Sequence, residues 1–272
     1  MARHVFTAAV VSMALLAAPL HSQEQSSADK RFFTGRDAVI FGAFVLGSAA
    51  ITTFDSRVAH WWQDSVQQYQ PQFRSLAKHA TKVHETSLTL LGIATYAVGR
   101  LSKSEVVADI GLHATEAIVL GSVASQLIRG PLGRSRPHVT NFDDPYDFEP
   151  FKGFREFDYR AYPSIHASSS FAAATVMLAE TKRRKPGAFW YVAPVAASVA
   201  IAPAFSRMYL GQHWASDIFM GAFMGTFAGL KVVNYSHDNP DNRFDRFFLG
   251  SSDGLRFSGD SRSVTVSYSR TF

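Results

Sequence analysis

The sequence predicts an all-α protein, a six-helix bundle with a short β-hairpin near its C-terminus. The 272-residue chain is 47% hydrophobic and 18% charged, so it can bury a large core without consisting almost entirely of membrane spans. Apolar segments with helical spacing recur along most of the chain and are joined mainly by short polar stretches. Alternation of apolar and polar residues, which is typical of strands, begins only after Arg246.

The first residues have the layout of a secretory signal peptide, with a short basic start and an apolar run that ends at Leu20. We predict a signal peptide over residues 1–22, cleaved near Ser22 or alternatively near Ala18. An uncleaved membrane anchor is the competing interpretation. A polar linker follows over residues 23–36.

Charge and cysteine content limit the classes of function. The formal net charge is +5 at pH 7, and removal of residues 1–22, which hold one arginine, leaves +4. This balance suits an anionic substrate and is too weak to indicate nucleic acid as a partner. The chain has no cysteine, which excludes disulfides, thiolate metal sites and cysteine nucleophiles.

Six helices are predicted within a helical domain over residues 37–240. Their limits are 38–54, 87–101, 106–128, 164–180, 187–205 and 213–233. A membrane span needs about 20 apolar residues, and only the first and fifth helices approach this without charge. Gly221, Gly225 and Gly229 allow close approach of backbones in lipid or in a tight soluble bundle. The sequence therefore leaves a soluble bundle and a membrane-embedded one open.

The basic run at residues 182–185 bears on orientation. It marks a cytoplasmic loop if all six helices cross the membrane, and it is a solvated turn otherwise. In the six-span case the segment before the first helix lies on the same side as this run. A cleaved signal peptide places that segment outside, so the two signals conflict. The conflict disappears if the helices do not all span, or if the leader is neither cleaved nor a true span.

Two regions lack helical spacing. Residues 137–163 form a long loop rich in aromatic and acidic residues, and loops of this length are often functional, so we expect it to border the pocket. Residues 241–272 form a C-terminal extension. Within it Val264, Val266 and Tyr268 alternate with polar residues between turn signals, which predicts the β-hairpin.

Arginines at the ends of two helices are the first candidates for chemistry. Arg129, Arg134 and Arg136 lie at the end of the third helix, and Arg207 ends the fifth. Guanidinium groups bind phosphate oxygens in fixed geometry and stay charged at physiological pH. The alternative is a basic helix end that only complements the macrodipole.

Two pairs of polar residues at the starts of helices complete the candidate set. Ser164 suits an N-cap, a helix start suits a phosphate, and His166 can donate a proton to a leaving group. Asp217 follows His213 by four positions, so it can accept a hydrogen bond from one ring nitrogen and leave the other as nucleophile or base. The alternatives are a capping serine beside an incidental histidine and an ordinary surface pair. In an up-and-down bundle all these helix ends lie on one side.

These residues fall into three motifs, which in chain order are R-x6-RP, PS-x-H and SR-x5-H-x3-D. Together the motifs resemble the three-part signature of the type 2 phosphatidic acid phosphatase superfamily. That superfamily includes lipid phosphatases, bacterial class A acid phosphatases and vanadium haloperoxidases, and the resemblance covers about residues 85–235. It implies the acid phosphatase/haloperoxidase type of helical bundle. It also implies export to the bacterial cell envelope, either to the periplasm or to the inner membrane with the active site facing the periplasm.

The resemblance implies a phosphatase that hydrolyses phosphate monoesters or lipid phosphates and diphosphates through a phosphohistidine. His213 would attack phosphorus with Asp217 orienting it, and His166 would protonate the leaving oxygen and then activate water. The phosphate-binding residues that it implies are Arg129, Arg136, Ser164, Ile165 through its backbone N–H, and Arg207. No metal and no cofactor are implied, because the arginines supply the positive charge.

The chain departs from the family pattern at two positions. Arg129 replaces the usual Lys and keeps the charge. Ile165 replaces the usual Gly, and its β-branched side chain crowds the site. Two other functions stay open: a vanadium-dependent haloperoxidase, in which vanadate would be the cofactor, and a non-catalytic envelope protein with a degenerate site. The expected partner is a phosphorylated small molecule or a lipid phosphate.

Overall fold

The structure is a computed structural model that describes residues 31–239, 242–249, 254–259 and 264–269. The predicted signal peptide and most of the predicted linker lie outside the described residues. Helices dominate, and the β-hairpin is confined to the C-terminal part, so the predicted all-α class is confirmed.

The described residues contain ten α-helices and two strands. The helices are α1 Gly35–Thr52, α2 Asp55–Gln63, α3 Ser65–Gln68, α4 Pro71–Ala80, α5 Glu85–Leu101, α6 Glu105–Leu132, α7 Ile165–Arg184, α8 Phe189–Tyr209, α9 Ala215–Asp238 and α10 Arg243–Leu249. The strands β1 Gly254–Gly259 and β2 Val264–Ser269 pair antiparallel, with Leu255 opposite Tyr268. Each predicted helix corresponds to one of the six long helices. The short helices α2, α3, α4 and α10 were not predicted.

Helix α7 lies at the centre of the bundle and packs against α6, α8 and α9. Small residues make this possible. A Cβ added to Gly225 of α9 would lie 2.0 Å from the carbonyl oxygen of Ser168, and one added to Gly221 would lie 2.3 Å from that of Ser164. Only glycine permits so close an approach of two helices. The first turns of α7 and α9 are therefore held side by side, with the backbone N–H of Ser164 donating to the Asp217 carbonyl at 3.1 Å.

Within the described part of the chain, four segments are long and apolar enough to cross a membrane: Gly35–Thr52, Glu105–Leu132, Pro186–Tyr209 and Ala215–Asp238. Only 11% of the most apolar 18-residue stretch of the first segment is buried inside the protein. The corresponding value for the third segment is 22%. The rest of their apolar surface faces outward, which lipid favours and water does not. The surface is that of a membrane protein.

The bundle has two functionally different ends. We call the end that holds the first turn of α7 and the last turn of α8 the site end, and the end that holds residues 182–185 the basic end. Helix α1 begins at the basic end, where Asp37 pairs with Lys231 of α9 at 2.5 Å. Trp190 and Tyr191 at the start of α8 are 80% and 81% exposed at this same end. Aromatic side chains in such positions are typical of a membrane–water interface.

Candidate active site

Three arginines converge at the site end, where the sequence placed them. Arg129 comes from the last turn of α6, Arg136 from the following loop and Arg207 from the last turn of α8; their exposures are 5%, 2% and 8%. The side-chain oxygen of Gln212 joins two of them, accepting from Arg136 Nη1 and, at 3.2 Å, from Arg207 Nη2. Among the described residues, no carboxylate forms an ion pair with any of the three.

These arginines carry unsatisfied donors and uncompensated charge. The Nε of each one is buried and has no hydrogen-bond partner among the described residues. Burial, followed by the charge of Arg207, lowers the pKa of Arg136 to about 10. Buried cations without partners are costly, so the arrangement is suited to a bound anion that accepts from the guanidinium groups.

Two histidines face this anion site. The rings of His166 and His213 have their centroids 6.5 Å apart. Burial first, and then the charges of Arg207 and Arg136, lower the pKa of His213 well below its usual value, which keeps its imidazole neutral and its lone pair available. Burial and Arg207 also lower the pKa of His166. A bound anion offsets the arginine charge and so raises the pKa of His166 again, which a proton donor requires.

The relation of His213 to Asp217 differs from the prediction. Helix α9 begins at Ala215, so His213 precedes the helix and the shared-face argument does not apply to it. Its Nδ1 lies 3.5 Å from Asp217 Oδ2 without hydrogen-bond geometry. Asp217 instead accepts from the backbone N–H of Trp214 at 2.8 Å, which caps the helix. The carboxylate therefore supports His213 by fixing the turn that carries it.

The start of α7 forms another wall of the site. Ser164 is the predicted N-cap, and its Oγ accepts from the Ala167 backbone N–H at 3.4 Å. Ile165 is 3% exposed, and its backbone N–H, the first of the helix, has no acceptor within the helix. The cavity has a volume of about 250 Å³ and is lined by Glu85, Gln126, Arg129, Arg136, Phe157, Arg160, Ile165, His166 and His213.

A buried ion network supports the site from behind. Arg134 is 1% exposed and donates to Asp217 Oδ1 at 2.5 Å and to Asp55 Oδ2 at 2.8 Å. It also donates to Ser216 Oγ and, twice, to the Pro145 carbonyl. The network ties α2 and the loop before α7 to the first turn of α9.

The model of the PAP2 superfamily matches residues 111–241, which include all three arginines and both histidines of the site. Residues 111–241 are therefore similar to the PAP2 superfamily. Among solved structures, the chain is similar to the crystal structure of a transmembrane PAP2-type phosphatidylglycerolphosphate phosphatase from Bacillus subtilis. That match has a TM-score of 0.56 and 20% identity, and it covers 76% of this chain and 98% of the other, which shows a shared fold.

Three curated relatives are lipid A 1-phosphatases. The chain is 28% identical to one from Rhizobium etli over 130 residues, 47% of this chain and 51% of the relative. It is 26% identical to one from Rhizobium johnstonii over 153 residues, 53% of this chain and 58% of the relative. A third, from Porphyromonas gingivalis, is 38% identical over 69 residues, 25% of this chain and 15% of the relative. The chain thus spans about half the length of the rhizobial relatives and much less of the third.

Several residues that line the cavity were not predicted from the sequence. Phe157 and Arg160 come from the loop that was expected to border the pocket, and the ring of Phe157 lies 3.9 Å from the Arg136 guanidinium. Glu85, from the first turn of α5, contributes a carboxylate. Nothing in the sequence assigned a role to Gln212, which precedes His213. Its contact with two arginines depends on the tertiary fold.

Proposed function

We propose that this protein is a metal-independent phosphatase that hydrolyses a lipid phosphate through a phosphohistidine intermediate, with its catalytic unit in residues 37–240. The observation that carries the proposal is the set of three buried arginines with unpartnered Nε donors around the buried His213 and the partly buried His166. Such a cluster binds the equatorial oxygens of a phosphoryl group and stabilises the charge of its transition state.

The first chemical step transfers the phosphoryl group to the protein. The His213 ring nitrogen remote from Asp217 attacks phosphorus, and the bond from phosphorus to the ester oxygen breaks. His166 gives its proton to that oxygen, so the alcohol leaves neutral. Arg129, Arg136 and Arg207 hold the oxygens of the transferred group throughout.

The second step returns the protein to its starting state. Neutral His166 accepts a proton from a water molecule as the water oxygen attacks phosphorus. The bond between phosphorus and His213 breaks, and inorganic phosphate leaves. Both histidines then have the protonation states with which the first step began.

The size and position of the cavity support a lipid substrate. Its volume of about 250 Å³ is below the ~300–1,000 Å³ that hold a whole drug-sized ligand, so it accommodates a phosphoryl head and little more. The loop beside it exposes Phe151, Phe154 and Phe157 by 65%, 60% and 59%. Because the helices below present apolar surface outward, the remainder of the substrate fits the adjoining lipid. Relatives that are lipid A 1-phosphatases agree with this class.

An Arg136→Gln variant tests the anion site. Removal of one buried charge and its donors is expected to lower kcat/KM for a lipid phosphate by about 10²–10³-fold, the usual loss for a preorganised donor to a developing oxyanion. The measurement is release of inorganic phosphate from lipid monophosphates in detergent micelles. Arg155→Gln, an exposed position on the same loop, is the matched control and should retain full activity. Equal activity of the two variants would refute the assignment of Arg136.

We also propose that the site end faces the periplasm. Residues 182–185 form a cytoplasmic basic loop in this orientation, and the exposed Trp190 and Tyr191 lie at the inner interface. The start of α1 is then cytoplasmic, which agrees with a leader that is neither cleaved nor a true span.

The absence of native cysteine allows a direct test of orientation. In intact spheroplasts, a membrane-impermeant maleimide is expected to label Asp144→Cys at the site end and not Lys185→Cys at the basic end. Permeabilised membranes, in which both positions should react, are the control. The reverse labelling pattern would invert the proposed topology.

A further inference from the structure

A second buried cluster of ionisable residues lies at the basic end. His113 of α6, Glu180 of α7 and His237 of α9 place their ligand atoms within 4.8 Å of one another. Glu180 lies 14 residues after His166 along α7, so the two centres are about 21 Å apart along the helix. The proposed phosphatase chemistry does not use this cluster.

The two histidines meet on a single carboxylate. Nδ1 of His113 lies 2.7 Å from Glu180 Oε1, and Nε2 of His237 lies 3.0 Å from both carboxylate oxygens. Two imidazoles and one carboxylate form a ligand set that zinc takes in proteins. Ligand atoms of a tetrahedral zinc are roughly 3.3 Å apart, given bonds of about 2.0–2.1 Å. The contacts of the two histidines with Glu180 therefore need to lengthen by only a few tenths of an ångström.

The second ring nitrogen of His113, Nε2, also bears on zinc binding. This nitrogen is buried and has no hydrogen bond, with Asp245 Oδ2 of α10 lying 3.7 Å away. Without a cation, both histidines direct an N–H at Glu180, and His113 presents an N–H to Asp245 only if its imidazole carries a proton on both nitrogens. With a cation, the lone pairs face the ion and the remaining N–H faces the carboxylate. That is the usual arrangement around a zinc-bound histidine.

An access path for an ion exists. The His237 side chain is 23% exposed, whereas that of Glu180 is fully buried. A cavity of about 260 Å³, whose lining includes Ser236, Asn242 and Asp245, lies beside the cluster. An ion therefore reaches the cluster from the basic end without passing the phosphatase site.

We propose that His113, Glu180 and His237 bind one Zn²⁺, with Asp245 orienting His113. The ion joins the ends of α6, α7 and α9 and, through Asp245, fixes α10 against them. Its role is structural. The proposal is independent of the phosphatase activity, because the two centres share no residue.

The test uses the full chain, purified without a histidine tag and stripped with a chelator. After incubation with ZnCl₂ and desalting, mass spectrometry is expected to find one zinc per chain. His237→Ala is expected to retain none, and His79→Ala, which removes an exposed histidine of α4, is expected to retain one. Addition of zinc should raise the Tm of the wild type by about 5–10 °C at a hundredfold excess over Kd and leave that of His237→Ala unchanged.

Folding is monitored separately from zinc. His237 is the most exposed of the three ligands, so its loss is the least disruptive, and gel filtration with circular dichroism verifies the fold of each variant. Glu180→Gln, which keeps the shape and weakens the ligand, should also lose zinc. The proposal is overturned if the wild type retains no zinc, in which case the cluster is a protonated hydrogen-bond network. Equal zinc retention by wild type and His237→Ala overturns it as well.

Discussion

Replacement of His213 with alanine is expected to lower kcat on a lipid phosphate by at least about 10³-fold, because removal of the nucleophile of a covalent hydrolase costs up to about 10⁶-fold. The residual rate should come from the arginines alone, which still bind the phosphoryl group. Inorganic phosphate release is the measurement, made at saturating substrate so that kcat is separated from KM.

Trapping of the proposed phosphohistidine gives a second test of His213→Ala. Rapid denaturation of the wild type during turnover of a ³²P-labelled lipid phosphate should trap label that is stable to alkali and released by acid, as expected of a phosphohistidine. His213→Ala should trap none. His60→Ala, which removes an exposed histidine of α2 that pairs with Asp143, is the matched control and should behave as the wild type. Unchanged turnover in His213→Ala would exclude the proposed mechanism even if the protein is a phosphatase.

The long helices could be predicted from the sequence because each carries its own apolar spacing. Helices α2, α3 and α4 could not, because residues 55–80 are polar and aromatic and helices this short depend on tertiary contacts. The first turn of α2 shows this. Asp55 accepts from the Ser216 backbone N–H at 2.9 Å and pairs with Arg134, partners that are far apart in sequence.

The candidate site was predicted as a set of residues, but individual partners were not. Arg134 and Arg136 are two positions apart and chemically identical, yet their side chains have different partners. Arg134 forms ion pairs with Asp55 and Asp217, whereas Arg136 lines the cavity. No spacing rule separates these roles, since the position of Asp55 depends on the whole fold. The hydrogen bond predicted between His213 and Asp217 failed for a local reason: the helix begins two residues later than the pattern indicates.

Replacement of Arg134 with methionine is expected to produce the largest loss of stability in the chain, about 3–5 kcal/mol. Methionine has a similar length but leaves two buried carboxylates, Asp55 and Asp217, without their shared cation. Burial of the guanidinium lowers the pKa of Arg134, and the two carboxylates raise it. The carboxylates together have the larger effect, so the pKa is raised and the charge of Arg134 is permanent. The free energy of unfolding in detergent is the measurement, with Arg155→Met as the exposed control.

A double-variant cycle identifies the source of that loss. If the unpaired carboxylate is responsible, Asp55→Asn should destabilise the wild type but cost much less once Arg134 is methionine, because only one buried charge then remains uncompensated. Strictly additive effects of the two substitutions would show instead that Arg134 stabilises the fold through packing against aromatic rings. The rings of Phe148, Tyr162 and Trp214 have their centroids 5.4–5.8 Å from its guanidinium carbon. Because the same network holds the turn that carries His213, Arg134→Met should also lower kcat although Arg134 does not line the cavity. Arg155→Met should change neither quantity.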